Sequence, residues 1–398
     1  MGKRDAARKR KRSFPLFYIE IGYRKVIMQY ILKHSAGNPR NSEGSFVELS
    51  DGRIYFAYSR YYGDDSYDDG SADIGYIISE DDGVSWSEPQ IAVKNSSKNV
   101  MSVSLLRLAD GRIAMVYLEK TDISGYSLPD CRPYIRFSSD ECRTWSEPVD
   151  IAGVPAIYLV GNNDRLIQLR SGRLLMPMSF HPYQPDGRLG EGMGVFYYSD
   201  DAGATWNRSK NIVYPPYGVE RGLMEPGAIE LCDGSVYCWF RTAAGCQYKA
   251  RSYDGGIHWS CAVPAPEFRS PNSPLSMKRD SASNIIYAVW NSHHPQFALP
   301  HKHSKWGYRS PLVIARSKDD CNTWDDHLAV ENDPDHGYAY TAMYFRKGKL
   351  FCAYCCGGEP DCIRMLQDCK INIIDTSIFG ANQLNEDVMS ANDPGGRR

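Results

Sequence analysis

The stretch Ser199-Asp200-Asp201-Ala202-Gly203-Ala204-Thr205-Trp206 decides the fold because it recurs. The pattern Ser-x-Asp-x-Gly-x-Thr-Trp returns as Ser79-Glu80-Asp81-Asp82-Gly83-Val84-Ser85-Trp86 and as Ser138-Ser139-Asp140-Glu141-Cys142-Arg143-Thr144-Trp145. Two further copies are Ser252-Tyr253-Asp254-Gly255-Gly256-Ile257-His258-Trp259 and Ser317-Lys318-Asp319-Asp320-Cys321-Asn322-Thr323-Trp324. Short polar side chains bond nearby amides, Gly accepts positive φ and Trp anchors the turn on a core, so each box reads as a hairpin turn. Its Asp belongs to that turn, since a catalytic group is needed once and these occur at every repeat.

A second series alternates with the boxes: Leu49-Ser50-Asp51-Gly52-Arg53-Ile54, Leu108-Ala109-Asp110-Gly111-Arg112-Ile113, Leu169-Arg170-Ser171-Gly172-Arg173-Leu174, Leu231-Cys232-Asp233-Gly234-Ser235-Val236 and Phe345-Arg346-Lys347-Gly348-Lys349-Leu350. A degenerate sixth, Ser281-Ala282-Ser283-Asn284, precedes an apolar run from Ile285 to Trp290. The spacing of roughly sixty residues is that of a four-stranded blade. Each repeat therefore reads as strand A, tight turn, strand B, variable loop, strand C, box, strand D. Short alternating runs of Tyr, Val, Ile and Trp, with little helical periodicity, predict an all-β, six-bladed propeller of antiparallel blades over residues 25–379. The box is missing after the sixth turn, which predicts ring closure by Lys25–Tyr30 beside Ile371–Ile374.

The totals exclude several classes. A formal net charge of −2 gives no general attraction to nucleic acid, and no apolar stretch is long enough to span a bilayer. Residues 1–24 open with a Lys/Arg-rich run and are expected to be disordered, as is the tail at 380–398; no signal peptide is recognisable, which sets a cytoplasmic expectation. The twelve cysteines read as free thiols. Cys352, Cys355, Cys356, Cys362 and Cys369 lack the spacing of a zinc site, so neither metal nor organic cofactor is expected. Nothing in the chain indicates an oligomeric state.

Strand direction selects the candidate site. With the turns after A and C at one end of the ring, the starts of A, the ends of B and the B–C loops share the other end. That end collects Arg40, Glu43, Asn163, Asp164, Arg165, Glu225 and Tyr340 from strand starts, Arg60, His181 and Arg241 from strand ends, the loop acids Asp64, Asp65, Asp68 and Asp69, and Arg309 before a C strand. Guanidiniums from different blades make a cradle for a carboxylate, because Arg stays ionised and bonds carboxylates bidentately.

With its repeated boxes, the chain resembles the sialidase (neuraminidase) superfamily from about Asn38 to Asp375. The resemblance implies an arginine triad on a sialic-acid carboxylate, a Tyr nucleophile paired with Glu, and an Asp acid/base. Residue by residue it implies Arg40, Arg241 and Arg309 as the triad and Arg60 as the arginine closing the next strand. Glu225 then matches the glutamate partner, Asp68 or Asp69 the acid/base, and Tyr340 the nucleophile, with Tyr338 as its backup. The expected activity is retaining hydrolysis of a terminal sialic acid or related acidic sugar from a glycan, without cofactor.

Two departures bear on the substrate. The segment Pro39-Arg40-Asn41-Ser42-Glu43-Gly44 lacks the family's Arg-Ile-Pro and sets an extra carboxylate, Glu43, beside the triad; Arg165 and His181 add polar groups with no place in the family mechanism. The alternatives are a glycosidase or polysaccharide lyase acting on uronate glycans, with Tyr or His181 as base, and a carbohydrate-binding propeller without catalysis.

Overall fold

A computed structural model describes residues 26–122, 129–153, 158–299, 307–358 and 364–379; the basic segment, the tail, Lys25 and Cys362 lie outside them. The described residues form six sheets around one axis. The first blade runs Asn41–Glu48, Ile54–Tyr61, Ala72–Ser79, Gln90–Val93, and the second Asn99–Arg107, Ile113–Thr121, Asp130–Ser138, Val149–Asp150. In the third, strand A is split into Leu159–Val160 and Ile167–Gln168, both paired with Leu174–Phe180, followed by Met193–Ser199 and Asn207–Arg208. The fourth comprises Met224–Glu230, Val236–Arg241, Cys246–Ser252 and Val263–Arg269, and the fifth Ser276–Arg279, Ile286–Asn291, Leu312–Ser317 and Asp325–Glu331. The sixth takes His336–Arg346, Lys349–Gly358 and Asp368–Asp375 from one end of the chain and Val26–Leu32 from the other, with Gln29 opposite Asn372. Strand pairing between the two ends closes the ring. No helix among the described residues is long and apolar enough to cross a membrane.

The boxes work as turns whose polar atoms are consumed locally. In the third blade the buried Ser199 hydroxyl donates to Asp201 Oδ1 at 2.7 Å and accepts the Gly203 amide at 2.9 Å; Asp201 in turn accepts the Thr205 amide at 2.9 Å and its hydroxyl at 2.5 Å. These bonds, the Thr205 hydroxyl first, hold the Asp201 carboxyl down at about 2. Gly suits the fifth position of this box for two reasons. Its φ is +92° at Gly203, and an added Cβ would come within 2.4 Å of the Phe137 ring. Cys142 and Cys321 hold that position in two boxes, at φ 64° and 66°, with buried side chains.

Each box tryptophan packs in the apolar cluster between its own blade and the preceding one. Trp259 stacks on Phe196 of the third blade at 3.7 Å, Trp324 meets Phe268 of the fourth at 5.0 Å, and Trp206 packs among second-blade residues. The sixth blade has no box, and Phe379, in the turn after its Asp368–Asp375 strand, packs instead on Tyr287 of the fifth. The cysteines Cys352, Cys355, Cys356 and Cys369 are buried free thiols within the sixth blade.

The inner strands are bulged at the end opposite the boxes. In the first, second, fourth and sixth blades the pairing of A with B slips between Ser42 and Ser45, Met101 and Ser104, Met224 and Gly227, and Ala339 and Ala342. Each bulge holds one non-glycine residue in the left-handed region: Glu43 at φ 55°, Ser102 at 57°, Glu225 at 44° and Tyr340 at 61°. Such bulges re-aim a side chain, at a conformational cost of about 1–3 kcal/mol each. Gly44 and Gly227 make two of them possible, since a Cβ there would lie 2.1 Å from the Phe56 and Trp239 rings.

Replacing Ser199 with Ala removes the box's buried donor and acceptor together. The variant is expected to unfold in urea with a free energy lower by about 1–3 kcal/mol, leaving the mouth of the ring unchanged.

Candidate active site

The four re-aimed residues meet in one cavity of about 1170 Å³ on the axis. That exceeds the ~300–1,000 Å³ of a usual small-ligand pocket. On one side stand Tyr340 and Glu225. The Tyr340 hydroxyl lies 3.4 Å from Glu225 Oε1, to which it donates, and 3.5 Å from Arg241 Nη1. Arg241 Nη1 also donates to Glu225 Oε1 at 2.7 Å, and its Nε to Asn272 Oδ1 at 2.6 Å. Burial, and after it the Glu225 charge, push the Tyr340 phenol well above its ordinary range, against the pull of Arg241 and Arg309. The phenol is therefore neutral at pH 7, with a carboxylate oxygen aligned to receive its proton.

Arg309 completes that side. Its guanidinium sits 5.7 Å from the centre of the Tyr340 ring and donates from Nη2 to the Asn272 carbonyl at 3.3 Å. The residue is 5% exposed, and its Nε and Nη1 have no hydrogen-bond partner among the described residues. A buried cation with idle donors is expensive unless an anion completes it.

Across the cavity, each nitrogen of the Arg40 guanidinium has a partner. Nε donates to Ser42 Oγ at 2.9 Å, Nη2 to Glu43 Oε1 at 2.9 Å and Nη1 to Asp68 Oδ1 at 2.6 Å, while its plane covers the Tyr61 ring at 4.5 Å. Glu43 accepts the Ser102 hydroxyl through its other oxygen. Burial pushes the Glu43 carboxyl up, and Arg40 works against it. Asp69 is held by Lys120, whose Nζ also donates to the Asp68 carbonyl at 2.8 Å. Next to Lys120 the wall is apolar: Met101, Leu118, Tyr158 and Val160.

Of the residues read from the sequence, Arg40, Glu43, Asp68, Asp69, His181, Glu225, Arg241, Arg309 and Tyr340 line this one cavity. Arg60 and Arg165 do not. Arg60 is on the other face of its strand, its stem lying with the Tyr58 ring over Gly75, while the next residue, Tyr61, faces Arg40. Arg165 is a buried brace whose guanidinium donates to the Leu275 carbonyl at 2.7 Å and to Ser276 Oγ at 3.2 Å; burial pushes its pKa down to about 10. Tyr338, the backup, is buried against Tyr354 within the sixth blade. His181 is buried with Nδ1 3.0 Å from the Gly190 carbonyl and Nε2 3.2 Å from Ser179 Oγ, and burial lowers its pKa.

Sequence reasoning passed over Ser102, Lys120 and Asn272. Ser102 starts an A strand and Lys120 ends a B strand, so the rule that selected the others also applies to them. Asn272, which joins Arg241 to Arg309, lies in a loop with no periodic signal.

Residues 52–352 match the BNR repeat-like domain, and the chain belongs to that family, as a BNR-repeat propeller of the sialidase superfamily. It is 27% identical over 231 residues to an anhydrosialidase of Macrobdella decora; the match covers 52% of this chain and 27% of that protein, so this chain spans about a quarter of its curated relative. Among solved structures it is similar to a leech intramolecular trans-sialidase complexed with 2,7-anhydro-Neu5Ac, with TM-score 0.66, 17% identity, and coverage of 89% of this chain and 70% of that one. An intramolecular trans-sialidase from Ruminococcus gnavus in complex with oseltamivir carboxylate gives TM-score 0.67, 15% identity, and coverage of 88% and 97%. A protein of unknown function from Dyadobacter fermentans gives 0.69, 17%, 88% and 98%. At these identities the structural likeness establishes the fold.

The placement of Arg165 outside the cavity has a measurable consequence. Arg165→Met keeps most of the bulk but leaves the Leu275 carbonyl and Ser276 without their donor. Its unfolding free energy should fall by about 1–3 kcal/mol, with binding of any ligand to the folded protein altered less than threefold.

Proposed function

We propose that this chain is a retaining exo-glycosidase that removes a terminal sialic acid, or a related acidic sugar, from a glycan. The observation that carries the reading is Arg309: a buried guanidinium with two nitrogens unpartnered among the described residues, 5.7 Å from the ring of a tyrosine whose hydroxyl touches a carboxylate. A sugar bearing a carboxylate at its anomeric carbon brings an anion for Arg309 and sets that carbon near Tyr340. An anionic nucleophile would be repelled by such a substrate. A neutral phenol that gives its proton to Glu225 as it attacks is not. Arg241, bonded to both, sets its charge beside Glu225 and steadies the phenolate as it develops. The glycosyl–tyrosine is then cleaved from the opposite side, by water or by a hydroxyl of the sugar itself, and configuration is retained.

The geometry favours this over a uronate lyase. A lyase would need a free base near the sugar's ring, and both nitrogens of His181 already face hydrogen-bonding partners. Unsaturated uronate products, seen by ultraviolet absorbance, would reverse that preference.

A fluorogenic sialoside tests the proposal. Wild type should turn it over. Tyr340→Phe should lower kcat at least about 10³-fold, and Arg309→Lys should raise KM about 10–100-fold, as expected for loss of a bidentate, charge-assisted contact. Absence of turnover by folded wild type across a panel of acidic glycosides, with no binding of the free sugars, would overturn it in favour of a propeller without this chemistry.

A further inference from the structure

Four buried thiols crowd the sixth blade, and strand alternation sorts them. Cys352 and Cys356 lie on the face of Lys349–Gly358 that packs against the fifth blade, in one apolar cluster with Tyr287 and Val289. Phe351 and Ala353 face the first blade, in a cluster with Phe46 and Phe56 that also holds Cys369 of the next strand. Cys355 follows Ala353 by two residues and shares that face. The pairing of Lys349–Gly358 with Asp368–Asp375 sets Cys355 directly opposite Cys369, and no other two cysteines among the described residues share a register position. Both are free and buried, 0% and 1% exposed. Opposed residues of antiparallel strands have Cα atoms about 4.5–5.5 Å apart, inside the ~4.4–6.8 Å that a disulfide spans.

The pair also lies between two walls of the cavity. On one edge of its strand Cys355 is paired with Ala339, the residue before Tyr340, at the slip that aims Tyr340 inward. The strand Asn41–Glu48 lies against the blade, and the polar groups around the Cys355 thiol are Glu43, Arg40 and Ser42.

We propose that Cys355 and Cys369 form a disulfide under peroxide, and that this bond is a redox switch on the cavity. One thiolate attacks a peroxide oxygen, the O–O bond breaks, and a sulfenic acid and water result. The second thiolate attacks that sulfur, the S–S bond forms, and the hydroxyl leaves as a second water. The electrons given up by the two thiols reduce the peroxide, and their protons end in the water. A dithiol restores both thiols and is itself oxidised to a disulfide.

The bond draws the Cys355 sulfur toward Cys369 and away from Ser42 and Glu43. Those residues hold Arg40 Nε and Nη2, each at 2.9 Å. In a close-packed interior the shift passes to the bulges at Glu43 and Tyr340. The reduced form is therefore the competent one. Burial pushes the Cys355 thiol up to about 12 and Cys369 well above its ordinary range. Thiolate is then scarce at pH 7, and the switch answers sustained rather than brief exposure to peroxide.

Hydrogen peroxide applied to the whole chain, then digestion without reductant and tandem mass spectrometry, tests the bond. Wild type should give a Cys355–Cys369 cross-link that dithiothreitol reverses. Cys369→Ala should give none, and Cys352→Ala, changed on the far face of the same strand, should keep it. In the oxidised protein, amide hydrogen exchange over residues 40–46 should be at least about tenfold faster. Turnover of a fluorogenic sialoside should be at least about tenfold slower, restored by dithiothreitol and unaffected by peroxide in Cys369→Ala. Should Cys369→Ala fail to fold, the wild-type link and exchange decide. No link in folded, peroxide-treated wild type, a link of either residue to another cysteine instead, or a link that leaves the exchange or the turnover of an active enzyme unchanged overturns the switch. The effect on turnover rests on the glycosidase reading; the bond and the exchange do not. If neither form turns over any sialoside while the link and the faster exchange appear, that reading fails and the switch stands.

Discussion

Burial of a box tryptophan between each pair of neighbouring blades is the contact from which the site follows. A four-stranded blade is apolar on both faces and cannot be stable alone; Trp259 against Phe196 and Trp324 against Phe268 tie each blade to the one before. Six such contacts, the last supplied by Phe379 on Tyr287, close a ring. In a ring the six innermost strands converge on an axis, and side chains hundreds of residues apart become neighbours. Tyr340 lies within hydrogen-bond range of Glu225, 115 residues away in the chain.

Convergence alone would leave strand side chains alternating in and out. The bulges at Glu43, Ser102, Glu225 and Tyr340 break that alternation where chemistry is needed. Their positive φ values are local strain, held by the pairing on either side and by the close approach of Phe56 to Gly44 and Trp239 to Gly227. The rigid box side of the ring and the strained mouth side are two faces of one economy: regular pairing at one end holds irregular pairing at the other.

Much of this was legible in the residues. Repeats with a fixed Ser, Asp and Trp have a physical cause, and their number and spacing give the blade count. The direction of the strands then brings nine of the fifteen residues collected at that end into one cavity. Arg60 and Arg165 escaped that logic because strand parity tells which end of a blade a residue occupies, while the face depends on register: Tyr61, one residue along, turns toward Arg40 and Arg60 turns away. The bulges carry no signature beyond a glycine nearby, and Asn272 acts through a loop, where no period exists to read. The likeness of Asp68 and Asp69 in sequence also hid their difference, one paired with Arg40 and the other with Lys120.

Under the proposed function, Tyr340 forms the bond to the sugar. A fluorinated sialosyl fluoride slows the release of a covalent intermediate more than its formation, so digestion and mass spectrometry of the inactivated protein identify the residue that carries the sugar. One sugar per chain is expected, on the peptide containing Tyr340 and on its phenol oxygen. A sugar found on Glu43, Asp68 or Glu225, or full turnover with no adduct on any residue, would contradict it.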